Sequence, residues 1–200
     1  NVIDPFAGTG KLADIEAHGY DGTIYLNELE PEWAELCREY KNTVCTISDA
    51  ISLPYQSDFF DAAATSPSYG NRMADSFKPS EGWNSAKRER NTYTHALGRR
   101  LTRNNSGAMQ WGAAYRHFHR RAWMEVQRIL KQNGIFVLNV KDHIRNGKQI
   151  EVTDWHISTL LDLGFHLDNL EEVHTPGQRY GANAKLRLDY ESVITFINRG

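Results

Sequence analysis

Short β-branched or aromatic runs alternate along this chain with longer amphipathic stretches. Val2-Ile3 reads as the end of a buried strand running into Asp4-Pro5-Phe6-Ala7-Gly8-Thr9-Gly10. Thr23–Asn27, Thr43–Ile47, Phe59–Thr65 and Ile135–Val140 are further strand-like runs. Between them apolar residues recur at helical spacing. Lys11–His18 is closed by Gly19, and Pro31–Tyr40 opens on a proline whose missing N–H costs nothing at a first helical position. Trp111–Lys131 is closed by Gly134, and Val152–Leu163 is stopped by Gly164. Two strands near His166–Val173 and Ser192–Asn198 end the chain. Alternating strands and helices predict an open α/β sheet, mostly parallel, with right-handed crossovers. Ligands of such sheets sit outside the carboxyl ends of the strands.

One stretch breaks the alternation. Residues 70–110 have weak periodicity and are too long for an ordinary connection. Charge singles out the same region. Residues 71–121 hold eleven Lys/Arg against three acids, although the whole chain has a net charge of only −2. Phe77, Trp83, Tyr93, Trp111, Tyr115 and Phe118 are interleaved with those cations. Basic side chains neutralise phosphates and flat rings stack on unpaired bases, so the segment points to nucleic acid. The chain divides accordingly: residues 1–69 and 111–200 as one domain, with 70–110 as a basic insertion and candidate target-recognition element.

Length and composition narrow the classes. Two hundred residues with 40% apolar side chains make one core-bearing domain. No run of about 18 apolar residues is present, so no membrane helix is expected. The start at Asn1 lacks signal-peptide character and suggests a stretch taken from a larger protein. Cys37 and Cys45 form no C-x-x-C pair, which argues against a disulfide scaffold and a cysteine–zinc site and for a reducing, cytoplasmic setting. No metal site is expected. Neither cysteine follows a proline, so a cysteine nucleophile for base C5 chemistry is absent, and both read as packing residues. Zinc deaminase chemistry lacks its H-x-E and P-C-x-x-C signatures. His117 and His119 stand two apart on a helix, cannot chelate together, and read as basic-face residues.

Four clusters lie at predicted strand ends. Gly8 and Gly10 permit a tight turn and close approach to a ligand, yet Leu12 and Ala13 rule out a Walker loop and a full G-x-G-x-x-G. Glu28, about twenty residues on, stands where an acid accepts hydrogen bonds from ribose. Asp49 can meet an adenine amine or, alternatively, cap the turn that follows it. Ser66-Pro67-Ser68-Tyr69 forms a rigid polar shelf, with Tyr69 alternatively a lid on the core.

Two of these clusters carry a resemblance. Asp4–Gly10 resembles the D-P-F-x-G-x-G motif of S-adenosylmethionine-dependent nucleic-acid amino-methyltransferases. Ser66–Tyr69 resembles their (D/N/S)-P-P-(Y/F) motif in the serine-led form of cytosine-N4 enzymes, with Ser68 replacing the second proline. The resemblance implies a Rossmann-like, seven-stranded methyltransferase sheet, mostly parallel with an antiparallel last strand and helices on both faces. It implies S-adenosyl-L-methionine as cofactor, with Asp4, Phe6, Gly8 and Gly10 at its methionine end, flanked by Pro5 and Ala7. Glu28 with Leu29 would bind its ribose, and Asp49 with Ala50 its adenine. Ser66 and Pro67 would hold the target amine, and Tyr69 would stack on a base flipped out of DNA. The implied reaction is methylation of cytosine N4 in DNA. Adenine-N6 and RNA guanine-N2 methylation, or an inactive binding subunit, remain alternatives. Arg72, Arg99, Arg100 and Arg103 are the expected phosphate contacts, with Gly177–Lys185 a second contact loop.

Overall fold

The computed structural model describes residues 1–70, 93–175 and 185–200. In chain order its strands are β1 (Val2–Asp4), β2 (Ile24–Glu28), β3 (Thr43–Ile47), β4 (Phe60–Thr65), β5 (Leu130–Val140), β6 (His143–Arg145), β7 (Lys148–Ile150), β8 (Phe165–His174) and β9 (Tyr190–Asn198). Its α-helices are α1 (Pro31–Cys37), α2 (Tyr93–Leu97), α3 (Ala113–Ile129) and α4 (Val152–Asp162). Seven strands form one sheet in the order β3-β2-β1-β4-β5-β9-β8, and β6 and β7 form a separate hairpin. Pairings from β3 across to β5 are parallel, whereas β9 runs antiparallel to both β5 and β8. This is the expected seven-stranded, mostly parallel sheet, with the last strand of the chain, β9, antiparallel. The chain starts at its centre, winds out to β3 and returns to β4 on the other side of β1. Crossovers therefore diverge between β1 and β4, and a crevice opens at their carboxyl ends.

Periodicity placed the strands, and local chemistry adjusted the ends. Lys11–His18 is a 3₁₀ helix rather than an α-helix, closed by Gly19 in the left-handed region. α3 ends at Ile129, five residues before Gly134. Its last carbonyls are taken by another strand's entry: Asp58 N–H donates to Arg128 O at 3.1 Å and Phe59 N–H to Ile129 O at 2.9 Å. The chain then passes straight into β5, with Asn133 at φ 63. Trp123, Tyr115, Phe60, Phe136 and Phe196 are the largest fully buried side chains and bind α3 to the sheet. Each such ring contributes roughly 1.5–3 kcal/mol by its burial.

α3 also separates the histidines. His117 is exposed, whereas His119 is fully buried, because residues two apart face opposite sides. The assignment of His119 to a basic face is corrected. Tyr115 is fully buried and Phe118 nearly so, so neither ring is a surface platform for bases. Trp111 packs against the core and Tyr93 faces the cavity described below. Phe77, Trp83, Arg72 and most of the Gly177–Lys185 loop lie outside the described residues. No helix among the described residues is long and apolar enough to cross a membrane.

Gly10 has φ +85, and a Cβ there would sit 2.9 Å from the Tyr40 ring and 3.3 Å from Cys37 Sγ. Gly10→Ala is therefore expected to lower stability by about 1–3 kcal/mol, through left-handed backbone strain and the clash. The midpoint of urea unfolding reads this, and an unchanged midpoint would contradict the packing.

Candidate active site

Strand ends supply the frame. Asp4, closing β1, is buried. Its Oδ1 accepts from Thr65 Oγ1 at 2.6 Å and from Phe6 N–H at 2.9 Å. Burial nonetheless dominates and pushes its carboxyl up to about 7, with nearby Glu28 adding to the rise. Glu28, closing β2, accepts from Gly8 N–H and Leu29 N–H at 2.8 Å and from Glu30 N–H at 2.9 Å. Burial raises its carboxyl against those three bonds. One carboxylate thus ties the glycine turn to the β2 end while keeping a lone pair for a further donor.

Asn27 braces the same corner. Its Nδ2 donates to Pro5 O at 3.2 Å and Ser48 O at 3.1 Å, and its Oδ1 accepts from Ser48 Oγ at 2.6 Å. The ends of β1 and β3 are held together through this buried amide. Asp49 fills the capping role, and its second oxygen meets a side chain of the 99–107 segment. Its Oδ1 caps the turn by accepting from Ile51 N–H at 3.2 Å, and its Oδ2 accepts from Asn104 at 3.3 Å.

These ends enclose a cavity of about 340 Å³, within the roughly 300–1,000 Å³ of small-molecule sites. The structure brings Asp4, Pro5, Phe6, Ala7, Gly8, Glu28, Leu29, Asp49 and Ala50 to its wall, together with Ser66, Pro67 and Ser68 from the end of β4. Gly8 has φ +55, and a Cβ there would meet nothing within 4 Å, so its backbone lies bare at the wall. Gly10 does not line the cavity. Its missing side chain makes room for Tyr40 and Cys37 instead. Cys37 is buried, its Sγ is 3.4 Å from Gly8 O, and burial pushes its thiol up to about 12, which leaves a neutral packing group. Among the described residues no group of His, Cys, Asp or Glu is arranged to hold a metal.

Tyr69 is also placed differently from expectation. Its ring packs against the core and is not on the cavity wall, while its hydroxyl lies 2.9 Å from Ser66 Oγ. Among the described residues the Tyr69 ring fills space beside the core, as in the alternative reading of it as a lid, and does not face the cavity. Its hydroxyl instead orients Ser66.

Part of the remaining wall comes from the 70–110 segment. Tyr93, Asn104, Asn105, Ser106 and Gly107 line the cavity, and the Tyr93 ring meets Trp33 of α1 edge-on at 5.6 Å. Glu30, fully buried, anchors this segment. Its Oε1 accepts from Thr102 N–H and Asn105 Nδ2 at 2.7 Å, and its Oε2 accepts from Arg99 Nη2 at 2.7 Å and Thr102 Oγ1 at 2.8 Å. Burial alone would raise this carboxyl, but the bonds from Thr102, Arg99 and Asn105 hold it below the ordinary range. Arg99 also pairs with Glu32 at 2.5 Å. The phosphate-binding assignment of Arg99 is thereby corrected, since its guanidinium is engaged by two carboxylates. Tyr93 and Asn104–Gly107 are thus part of the cavity wall itself. Sequence reasoning missed Trp33, Asn27 and Glu30, and it assigned Tyr93 to stacking on bases rather than to this wall. Only Glu30 carried a signal, as a second acid directly beyond the β2 end.

No family model matches the chain, and no curated protein sequence does. Solved structures share its fold. The [4+2]-cyclase SpnF is 18% identical with a TM-score of 0.59, over 98% of this chain and 74% of that one. An S-adenosylmethionine-dependent methyltransferase from Mesorhizobium loti is 10% identical with a TM-score of 0.55, over 98% and 90%. A TehB-like SAM-dependent methyltransferase from Corynebacterium glutamicum ATCC 13032 is 11% identical with a TM-score of 0.51, over 98% and 78%. At such identities the likeness is one of fold. A cyclase among the neighbours makes plain that the reaction must be argued from the site.

Proposed function

We propose that this chain is an S-adenosylmethionine-dependent methyltransferase acting on an exocyclic amine of a DNA base, cytosine N4 first. One observation carries the reading: the glycine turn, the β2 acid and the Ser66-Pro67-Ser68 shelf line a single cavity. The wall suits the cofactor. Glu28 has lone-pair capacity left for a ribose hydroxyl, the bare Gly8 backbone admits close approach, and Trp33 with Tyr93 offers flat surface for an adenine. Bound there, S-adenosylmethionine supplies a methyl group on a sulfonium, strongly electrophilic and needing no metal.

The protein's part is positioning. A base amine is a poor nucleophile because its lone pair is delocalised into the ring. Hydrogen bonds from its N–H groups to Ser66 Oγ and the Pro67 carbonyl gather electron density on nitrogen. Ser66 is exposed and can give its own proton to Tyr69 Oη, which leaves both oxygen lone pairs free to accept. Arg100, Arg103, Arg120 and Arg121 are exposed without an ion-pair partner among the described residues. They are the cations available to a phosphate backbone, with Phe118 of the same helix as the last two on the cavity wall.

Incubation with methyl-labelled S-adenosylmethionine and mixed-sequence DNA or RNA, followed by nucleoside analysis, tests the reading. Label in N4-methylcytosine of DNA is expected. Label in another nucleoside reassigns the acceptor, and donor binding without any transfer marks an inactive subunit. Neutralising Arg120 and Arg121 together should reduce the salt dependence of log affinity by about 2. An unchanged slope would remove α3 from the interface.

A further inference from the structure

Beneath the shelf runs a line of buried polar groups to which the proposed reaction gives no part. Trp123 Nε1–H donates to His156 Nδ1 at 3.0 Å. His156 Nε2 lies 3.1 Å from Tyr115 Oη, and Tyr115 Oη is 2.9 Å from Ser68 O. Tyr115, Trp123 and His156 are all fully buried. The line spans α3, α4 and the end of β4.

Proton positions along it follow by necessity. An indole N–H can only donate, so His156 Nδ1 must accept. A neutral imidazole then carries its proton on Nε2, which can only donate, so Tyr115 Oη accepts it. A carbonyl can only accept, so the tyrosine's own proton goes to Ser68 O. No other arrangement satisfies all four groups. A protonated His156 would set Nδ1–H against the indole N–H. Burial and neighbouring His119, whose ring centre is 5.6 Å away, both hold the imidazole neutral.

We propose that Tyr115 is a positioning residue for the transfer: its hydroxyl, oriented by His156 and Trp123, pins the Ser68 carbonyl and so holds the Ser66–Tyr69 shelf in place. The proposal rests on the methyltransferase reading above. Pinning that carbonyl fixes the peptide plane between Ser68 and Tyr69. The Tyr69 hydroxyl then meets Ser66 Oγ at 2.9 Å, which sets the acceptor oxygen of the shelf. Ser68 itself fits this division of labour. Its own Oγ is buried without a partner among the described residues, whereas its backbone oxygen is engaged by Tyr115. None of Tyr115, Trp123 and His156 lines the cavity, and their hydrogen-bond line reaches its wall at Ser68 of the shelf.

Three variants of the whole chain and one spectrum test it. Tyr115→Phe should lower kcat about ten- to a hundredfold, because a small misplacement of reacting groups costs that much. Its Kd for S-adenosylmethionine, read by calorimetry, should stay within about twofold of wild type, since the donor wall is untouched. His156→Gln keeps an N–H near the Nε2 position and should retain most of kcat, whereas His156→Leu should fall as far as Tyr115→Phe. Wild-type kcat in Tyr115→Phe, or equal losses in Gln and Leu, would overturn the proposal. The imidazole ¹⁵N spectrum of the wild-type protein should show His156 protonated on Nε2 at neutral pH, and protonation on Nδ1 would overturn it whatever the variants do. If the wild-type protein transfers no methyl group to any nucleic acid, the methyltransferase reading fails, while the spectrum still decides the hydrogen-bond chain.

Discussion

Glu30→Ala is expected to weaken S-adenosylmethionine binding by about ten- to a hundredfold and to lower the melting temperature by roughly 5–10 °C. Glu30 Oε1 and Oε2 together accept four hydrogen bonds from Arg99, Thr102 and Asn105. Its side chain is inaccessible to solvent, while that of Arg99 is 37% exposed. Removing one partner of a fully buried ion pair costs about 3–5 kcal/mol. Solvent around Arg99 screens part of this, so about 2–3 kcal/mol is the expected loss. The loss falls on the segment whose Asn104–Gly107 line the cavity proposed for the donor. Stability and affinity should therefore drop together, while binding of DNA alone stays near wild type. Glu30→Gln separates charge from shape: its amide NH₂ would face the donors that one carboxylate oxygen now serves, so an intermediate loss is expected. Differential scanning calorimetry with donor titration reads both quantities. If Glu30→Ala keeps its melting temperature and its affinity, the 99–107 segment is not held through Glu30.

That dependence was hidden from the sequence for a physical reason. Glu30 and Thr102 are 72 positions apart, and nothing local to either names the other. Arg99 was read as a free cation because a sequence reports charge, not the carboxylate that faces it. The sheet was legible, because each parallel strand is a buried apolar run bounded by turn residues, and the acids and glycines at its ends keep their places in such folds. The side chains at those ends were not all legible. Phe6, Gly8 and Glu28 reach the cavity, whereas Gly10 one turn further on is consumed by packing against Tyr40. Tyr69 illustrates the same limit: a motif fixes that a ring stands beside the shelf, and only the core decides which way it turns. The β6–β7 hairpin was missed although Asn146-Gly147, at φ 51 and 75, is a strong two-residue turn signal. Its strands are short and polar, so no hydrophobic alternation drew attention to that dipeptide.

Asp4 gives the protein a pH dependence whose sign is fixed by burial. Its carboxyl is raised from 3.8 to about 7, so between those values the folded chain holds a proton that the unfolded chain has released. Stability from this group is complete below about pH 4 and is lost as pH rises through 7, by up to roughly 4 kcal/mol. The buried histidines act in the opposite direction. Burial lowers His119 to about 4, so folding is penalised in acid and recovers towards pH 6.5. The two slopes overlap, and the wild-type curve alone would conceal both. Asp4→Asn isolates the carboxyl, because its amide oxygen can accept the same bonds from Thr65 Oγ1 and Phe6 N–H. The variant should gain on wild type steadily from pH 4 to 7 in urea unfolding, and a difference that stays flat would mean Asp4 is ionised throughout. Donor binding carries the same signature. A ligand bearing sulfonium and ammonium charges favours the ionised form of a carboxyl on the cavity wall. Wild-type protein should therefore release a proton on binding S-adenosylmethionine near pH 6.5, seen as a binding enthalpy that varies with buffer ionisation enthalpy, and Asp4→Asn should bind without that term. Equal buffer dependence in the two proteins would place the donor's charge away from β1 and with it the methionine end of the site.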